Sequence, residues 1–308
     1  MNSEITYKQV NKKQFQKCLR LISKFKKNFN FNKKSLKWEY FLNPFGKAKI
    51  FVAEYKNNFV GITICIPLKF QKNMKIYNGF RIQDVITDIK FRRMGIFTTL
   101  LNLSDKYVNQ RSNINITLPN ENSLYFFKKN NWREICNIPL ITKTTNNKDN
   151  FLLKYNLIKK FTRTHENIWR KSIKNKFDIF WSKDFSNWRY CLNPKSKYII
   201  FEIKNNTKIV GYMVLKKYKL ENKKMIGHIC QLVCNDNYIK DSIKFATNYF
   251  FNSSIKSFSM WKIKNDSLFI NKLGFKKINL KNKKFLCKGK KIFNKSSLNL
   301  SMSYSDTY

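Results

Sequence analysis

The sequence predicts an α/β fold in two tandem units, and three observations carry that prediction. Runs with a two-residue apolar period alternate along the chain with runs of helical period. Trp38-Glu-Tyr-Phe-Leu-Asn-Pro44 recurs 150 residues later as Trp188-Arg-Tyr-Cys-Leu-Asn-Pro194. The register continues without a gap to Val60-Gly61 and Val210-Gly211, with ten of 24 paired positions identical, too many for chance over so long a stretch. Between the copies, Thr144 to Asn150 is polar and breaks both periods. The expected units are therefore 1-145 and 146-308.

Within the first unit, Ile5 to Val10 reads as a strand. Phe15 to Phe25 carries apolar residues at helical spacing, and Leu36 to Leu42 is a second helix ended by Asn43-Pro44. Ile50 to Tyr55 and Phe59 to Pro67 alternate as strands around Lys56-Asn57-Asn58, a hairpin signal. Ile82 to Thr87 is a β-branched strand. Arg92-Arg93-Met94-Gly95 interrupts it, and from Ile96 the spacing becomes helical through Leu100, Leu101 and Leu103. Ile114 to Leu118 is a strand stopped by Pro119, Asn122 to Asn130 a helix, and Trp132 to Thr142 a pair of closing strands.

The strand, basic turn and helix at 82–101 form an anion cradle, because a helix start offers unpaired N–H groups and partial positive charge. A side chain at Gly95 would crowd an anion there. Arg92-x-x-Gly95-x-Phe97 resembles the Gln/Arg-x-x-Gly-x-Gly/Ala signature of the GNAT superfamily of acyl-CoA-dependent N-acyltransferases, with Phe97 departing at the third position. The element order from about 5 to about 142 also resembles that family. The resemblance implies a mixed, mostly antiparallel sheet flanked by helices in each unit, and acetyl-CoA as cosubstrate.

It also implies site residues. The pyrophosphate would lie on Arg92, Arg93, Met94, Gly95, Ile96 and Phe97, and the pantetheine beside Val85, Ile86 and Thr87, one of whose amides would polarise the thioester. Asn122 and Ser123 would bond the pantetheine amides, with helix capping as the competing reading. Asp84 is the candidate base, against a solvated strand-edge carboxylate; Asp88 reads as structural. The family's acidic Tyr falls on Lys128. Tyr125, one turn earlier, is the stand-in, although its ordinary reading is a core tyrosine.

The repeat serves as an internal control, since features present in both halves serve the fold. Trp38, Tyr40 and Pro44 recur and read as scaffold. With Gln83 set against Gln231, Arg92 falls over Lys240, Gly95 over Ile243 and Asp84 over Leu232, so the second half reads as a degenerate copy. Asn122-Ser123-Leu124 finds a counterpart in Asp266-Ser267-Leu268, and Asn271-Lys-Leu-Gly-Phe275 resembles the end of the fourth GNAT helix.

The formal net charge is +44, yet only nine of the 62 basic residues are arginine. Base recognition favours the bidentate arginine fork, so A/T-rich codon usage is the better account of the lysines and a nucleic-acid partner the lesser one. Seven cysteines without a Cys-x-x-Cys read as reduced thiols. Two histidines, His165 and His228, are too few for most imidazole metal sites, so no metal is expected. With no apolar run near 20 residues and no signal-peptide pattern, the expectation is a cytoplasmic protein without a membrane partner.

The expected activity is acetyl transfer to a primary amine of a small molecule, with an amino sugar of surface-polysaccharide synthesis as the acceptor by analogy. Two alternatives stand beside it. Tandem GNAT-like units also resemble Fem-type aminoacyl-tRNA-dependent transferases, although Lys148 to Lys176 is too short for their helical arm. A non-enzymatic basic nucleic-acid-binding protein is the other.

Overall fold

The computed structural model describes residues 4–25, 33–138, 140–145, 149–220, 224–261, 271–278 and 283–305. The first half forms strand β1 (Thr6–Val10), helices α1 (Phe15–Phe25) and α2 (Lys33–Phe41), and strands β2 (Lys49–Tyr55), β3 (Asn58–Lys72) and β4 (Lys75–Thr87). Helix α3 (Ile96–Asn109), β5 (Ile114–Thr117), α4 (Glu121–Lys129), β6 (Arg133–Asn137) and β7 (Leu140–Thr144) follow. The second half supplies β8 (Lys154–Ile158), α5 (Arg163–Ile173), β9 (Asp178–Ile179), a short α6 (Lys183–Ser186) that runs into a π-helical turn at Asn187–Cys191, β10 (Ile199–Asn205), β11 (Lys208–Lys219), β12 (Met225–Cys234), α7 (Asp236–Asn252), β13 (Ser257–Trp261), β14 (Lys276–Ile278) and β15 (Lys284–Gly289).

The β2–β3 hairpin turns at Lys56 and Asn57, both at positive φ, as the sequence predicts. A second such turn, at Asn73 and Met74, extends β3 and β4 well beyond their predicted lengths. One face of the first sheet packs on α1 and α2 through Phe15, Cys18, Ile22, Leu36, Tyr40, Val52, Ile62 and Ile64. The other face packs on α3 and α4 through Ile82, Ile96, Leu100, Phe127 and Trp132. These are the apolar faces that the helical spacing selects.

The strand order is β1-β2-β3-β4-β5-β15-β6 in one sheet and β14-β7-β13-β12-β11-β10-β8 in the other. The halves therefore exchange a strand. β15, from near the C-terminus, lies between β5 and β6, while β7 pairs β13 and β14 in the second sheet. Of the two closing strands expected at Trp132 to Thr142, only β6 closes the first sheet. Strand edges accept any partner in register, so alternation along one strand cannot name its neighbour.

The repeated Trp-x-Tyr segment meets itself at the centre. Trp38 and Trp188 stack at 4.6 Å with 19° between their rings. Each indole N–H donates to the other's backbone carbonyl, at 3.1 and 3.3 Å. Around them a shared core draws Phe70, Trp169, Phe177, Trp181, Tyr212, Phe285 and Tyr304 from both halves.

Candidate functional site

Strand β4 pairs antiparallel with β3 along its whole length, but the register slips between Ile62 and Ile64. Ile62 faces Ile86 and Ile64 faces Gln83, so Asp84 and Val85 share the place of one residue. This is a β-bulge with Asp84 in the left-handed region at φ 51°. Aspartate tolerates that backbone better than bulkier residues do, and such outliers concentrate at functional sites. On the other side of β4, parallel pairing with β5 covers only Gly79 to Arg81, and Thr117 donates to the Ile82 carbonyl at 3.0 Å. Among the described residues, Gln83 to Thr87 of β4 have no ladder pairing with β5.

Asp84 is held from two sides. The Tyr40 hydroxyl donates to its Oδ2, and Gln83 Nε2 approaches the same oxygen at 3.2 Å. Gln83 Nε2 also donates to Glu39 Oε1 at 2.9 Å. Buried Glu39 is paired with Arg81, at 3.3 Å, and with Lys195 of the second half. A connected set of side chains thus runs from Asp84 to the boundary between the halves. Tyr40, expected as scaffold because it recurs, is the residue that grips the candidate base. The structural reading of Asp88 is what is found: it caps the short turn before the cradle and pairs with Lys24 at 3.0 Å, which holds its carboxyl below the usual range.

At the cradle, Arg93 and Gly95 both adopt positive φ, 67° and 75°. Gly95 is the residue before α3, and a Cβ placed on it would meet nothing within 4 Å. The glycine is therefore required by backbone conformation, and the space before it is open. Arg92, Arg93 and Met94 are exposed, whereas the Ile96 side chain is buried in the core and anchors the helix start. Phe97 lies against Phe126 at 4.9 Å and Phe127 at 6.0 Å, so the residue that departs from the signature ties α3 to α4.

Asn120 caps α4, accepting from the Ser123 backbone N–H at 3.0 Å and from its hydroxyl at 2.9 Å. Capping is thus what Ser123 does here, while Asn122 is exposed. Tyr125 is 65% exposed, with its ring edge-on to Phe126, and is not a core residue. Lys128 pairs with Glu134 at 2.7 Å.

Acyl-CoA needs amides and hydroxyls along the strand and an anion site at its end. Among the described residues, Thr87 Oγ1 and Gln83 Oε1 are buried without a hydrogen-bond partner, beside the bulge. With the open space at Gly95, the residues present fit the cofactor. No group of three His, Cys, Asp or Glu side chains suited to a metal ion occurs among the described residues.

The second half lacks this cradle, and for a different reason than the sequence alignment indicates. There β12 ends at Cys234, a single residue, Asn235, follows, and α7 begins at Asp236. Lys240 and Ile243 lie inside α7, with Ile243 fully buried, so neither is the counterpart of Arg92 or Gly95. The bulge differs too: it falls at Cys230, between Ile229 and Gln231. The expected counterpart Asp266-Ser267-Leu268 lies outside the described residues.

A bulged central strand, paired with its parallel neighbour only at one end and followed by a glycine turn into a helix, resembles the frame of GNAT domains. Residues 6–132, in the first half of the chain, match the family described as acetyltransferase (GNAT) domain. The fold resembles a GCN5-related N-acetyltransferase from Anabaena variabilis, with a TM-score of 0.73 at 13% identity over 92% of this chain and 72% of that one. A protein of Enterococcus faecalis described as a probable N-acyltransferase gives 0.72 at 9% identity, over 93% and 72%. A GCN5-related N-acetyltransferase from Kribbella flavida gives 0.61 at 8% identity, over 92% and 71%. Among curated proteins none matches this sequence. The structural likeness extends over both halves and establishes the fold.

Proposed function

We propose that the chain transfers an acetyl group from acetyl-CoA to a primary amine of a small molecule, using the first half alone. The observation that carries this is the conjunction, in one half only, of the bulge at Asp84 with the open glycine turn at Gly95. The pyrophosphate lies on the amides of Arg93 to Phe97 and the pantetheine beside Val85 to Thr87, where Thr87 Oγ1 awaits a donor. The cosubstrate supplies an activated thioester. Asp84, oriented by Tyr40, takes the proton of the attacking amine, directly or through water. An amide of Val85 or Ile86 stabilises the developing oxyanion. Exposed Tyr125 is the available donor to the leaving thiolate.

An amino sugar is our choice of acceptor, by analogy alone. Reaction within the cytoplasm is proposed on the same footing; among the described residues no helix is long and apolar enough to cross a membrane. The test is calorimetric titration with acetyl-CoA, followed by a screen of amines for thiol release. Binding in the micromolar range and turnover with one amine class are expected. A folded protein with no binding at high micromolar concentration would sink the proposal.

A further inference from the structure

We infer that the C-terminal segment Asn299–Ser305 is a built-in occupant of the cleft in the second half, and that the chain therefore carries one acyl-CoA site rather than two. The second clause rests on the function proposed above; the first does not. In the second half, parallel pairing between β12 and β13 covers only Gly227 and His228, so among the described residues β12 has no ladder pairing with β13 from Ile229 onward, as Gln83 to Thr87 have none with β5 in the first half. That edge is covered. A narrow cavity there is lined on one side by Ile229 to Val233, Met260 and Trp261, and on the other by Asn299 to Met302.

The contacts are specific. The Ser303 hydroxyl donates to the carbonyl of Cys230, the bulged residue itself, at 3.0 Å. Tyr190, the repeat counterpart of Tyr40, bonds Ser303 Oγ and Gln231 Oε1. So the tyrosine that grips the candidate base in one half grips the tail in the other. Arg189, at the counterpart of Glu39, donates to the Ser305 carbonyl at 2.6 Å. Asn299 and Tyr304 both donate to the buried carboxylate of Asp178, at 2.8 and 2.9 Å. Met302 and Tyr304 are fully buried. The segment fills a site of strand-and-bulge geometry from within, the place a pantetheine takes in an open GNAT cleft.

The test uses amide hydrogen exchange on the full-length protein. Replacing Asn299→Ala and Ser303→Ala together removes the hydrogen bonds to Asp178 and Cys230. Exchange across Ile229–Val233 should rise at least tenfold, with Val85–Thr87 unchanged. A chain ending at Leu298 should bind the synthetic peptide of residues 299–305 one to one and regain protection; if that chain does not fold, the double variant decides alone. Unchanged exchange across Ile229–Val233 overturns the inference, as does calorimetry giving two acetyl-CoA per chain. One acetyl-CoA per parent chain supports it. No acetyl-CoA bound, with the exchange response intact, overturns the proposed function and leaves the occupied cleft standing.

Discussion

Between the bulged strand and the following helix, the first half places the segment Asp88–Gly95, whereas the second half places Asn235 alone. The longer connection allows two positive-φ residues and an open space at the helix start. The shorter one runs directly into α7 and presents no such concavity. The two halves thus differ here in the length of the connection rather than in a substitution within it. Beside β12 a narrow cavity persists, and the segment Asn299–Ser305 lies against it.

The largest expected effect concerns the acid that only the first half has. Asp84→Asn keeps a residue that accepts the left-handed backbone, so the bulge and acetyl-CoA affinity should survive. Turnover with the acceptor found by screening should fall by about a hundredfold to ten-thousandfold, the usual contribution of a general base. Equal turnover would remove Asp84 from the chemistry.

Next comes the element the halves share. Trp38→Ala removes a buried indole and one of two reciprocal hydrogen bonds, and should cost about 3–5 kcal/mol of stability by urea unfolding. Because strands are exchanged, the two halves should unfold in a single transition. Two separate transitions would show the halves to be independent.

Gly95→Val should weaken acetyl-CoA binding about a hundredfold by calorimetry. The φ of 75° disfavours a β-branched side chain, and the substituent would occupy the space the phosphates approach. At charged hydrogen bonds worth roughly 1.5–3 kcal/mol each, loss of one or two accounts for that factor. Ile243→Ala is the contrast. It should lower stability by roughly 2–5 kcal/mol through a core cavity and leave affinity intact. Reversal of this pattern would misplace the cradle.

The smallest effect reports on the occupied cleft. Burial pushes the Asp178 carboxyl up to about 6, against hydrogen bonds from Asn299, Trp169, Tyr304 and Trp181 that pull it down. An unfolded aspartate sits near about 3.9, so between these values the folded chain binds the extra proton. Its contribution to stability is complete below about pH 4 and is lost as pH rises through about 6. Urea midpoints of Asp178→Asn should lack that slope, and a parallel pH dependence in parent and variant would contradict it.

Much of this was legible in the chain. Period-two and helical apolar patterns located β1, β2, β5, α1 and α4 to within about a residue, because each pattern follows from local backbone geometry, whereas β3 and β4 run well past their predicted ends. Asn57 announced its turn because few side chains tolerate positive φ, whereas Gly95 reads in the sequence only as clearing space for an anion and its φ of 75° comes with the structure. The 150-residue repeat exposed the duplication. Lys240 and Ile243 were misplaced because an ungapped comparison cannot register a shortened loop, and both copies continue as amphipathic helices through it. Tyr125 reads in the sequence as a stand-in acid against an ordinary core tyrosine; it is exposed, and Phe127 takes the buried position.

What the tertiary structure alone decided was which strand edges meet. The exchange of β7 and β15, the reciprocal Trp38–Trp188 contact, the grip of Tyr40 on Asp84 and the closing of the second cleft by Asn299–Ser305 join residues 44 to 175 positions apart. Backbone edges are chemically alike in every strand, and side-chain alternation specifies a face without specifying a neighbour. Only packing of both halves around one shared core selects those partners.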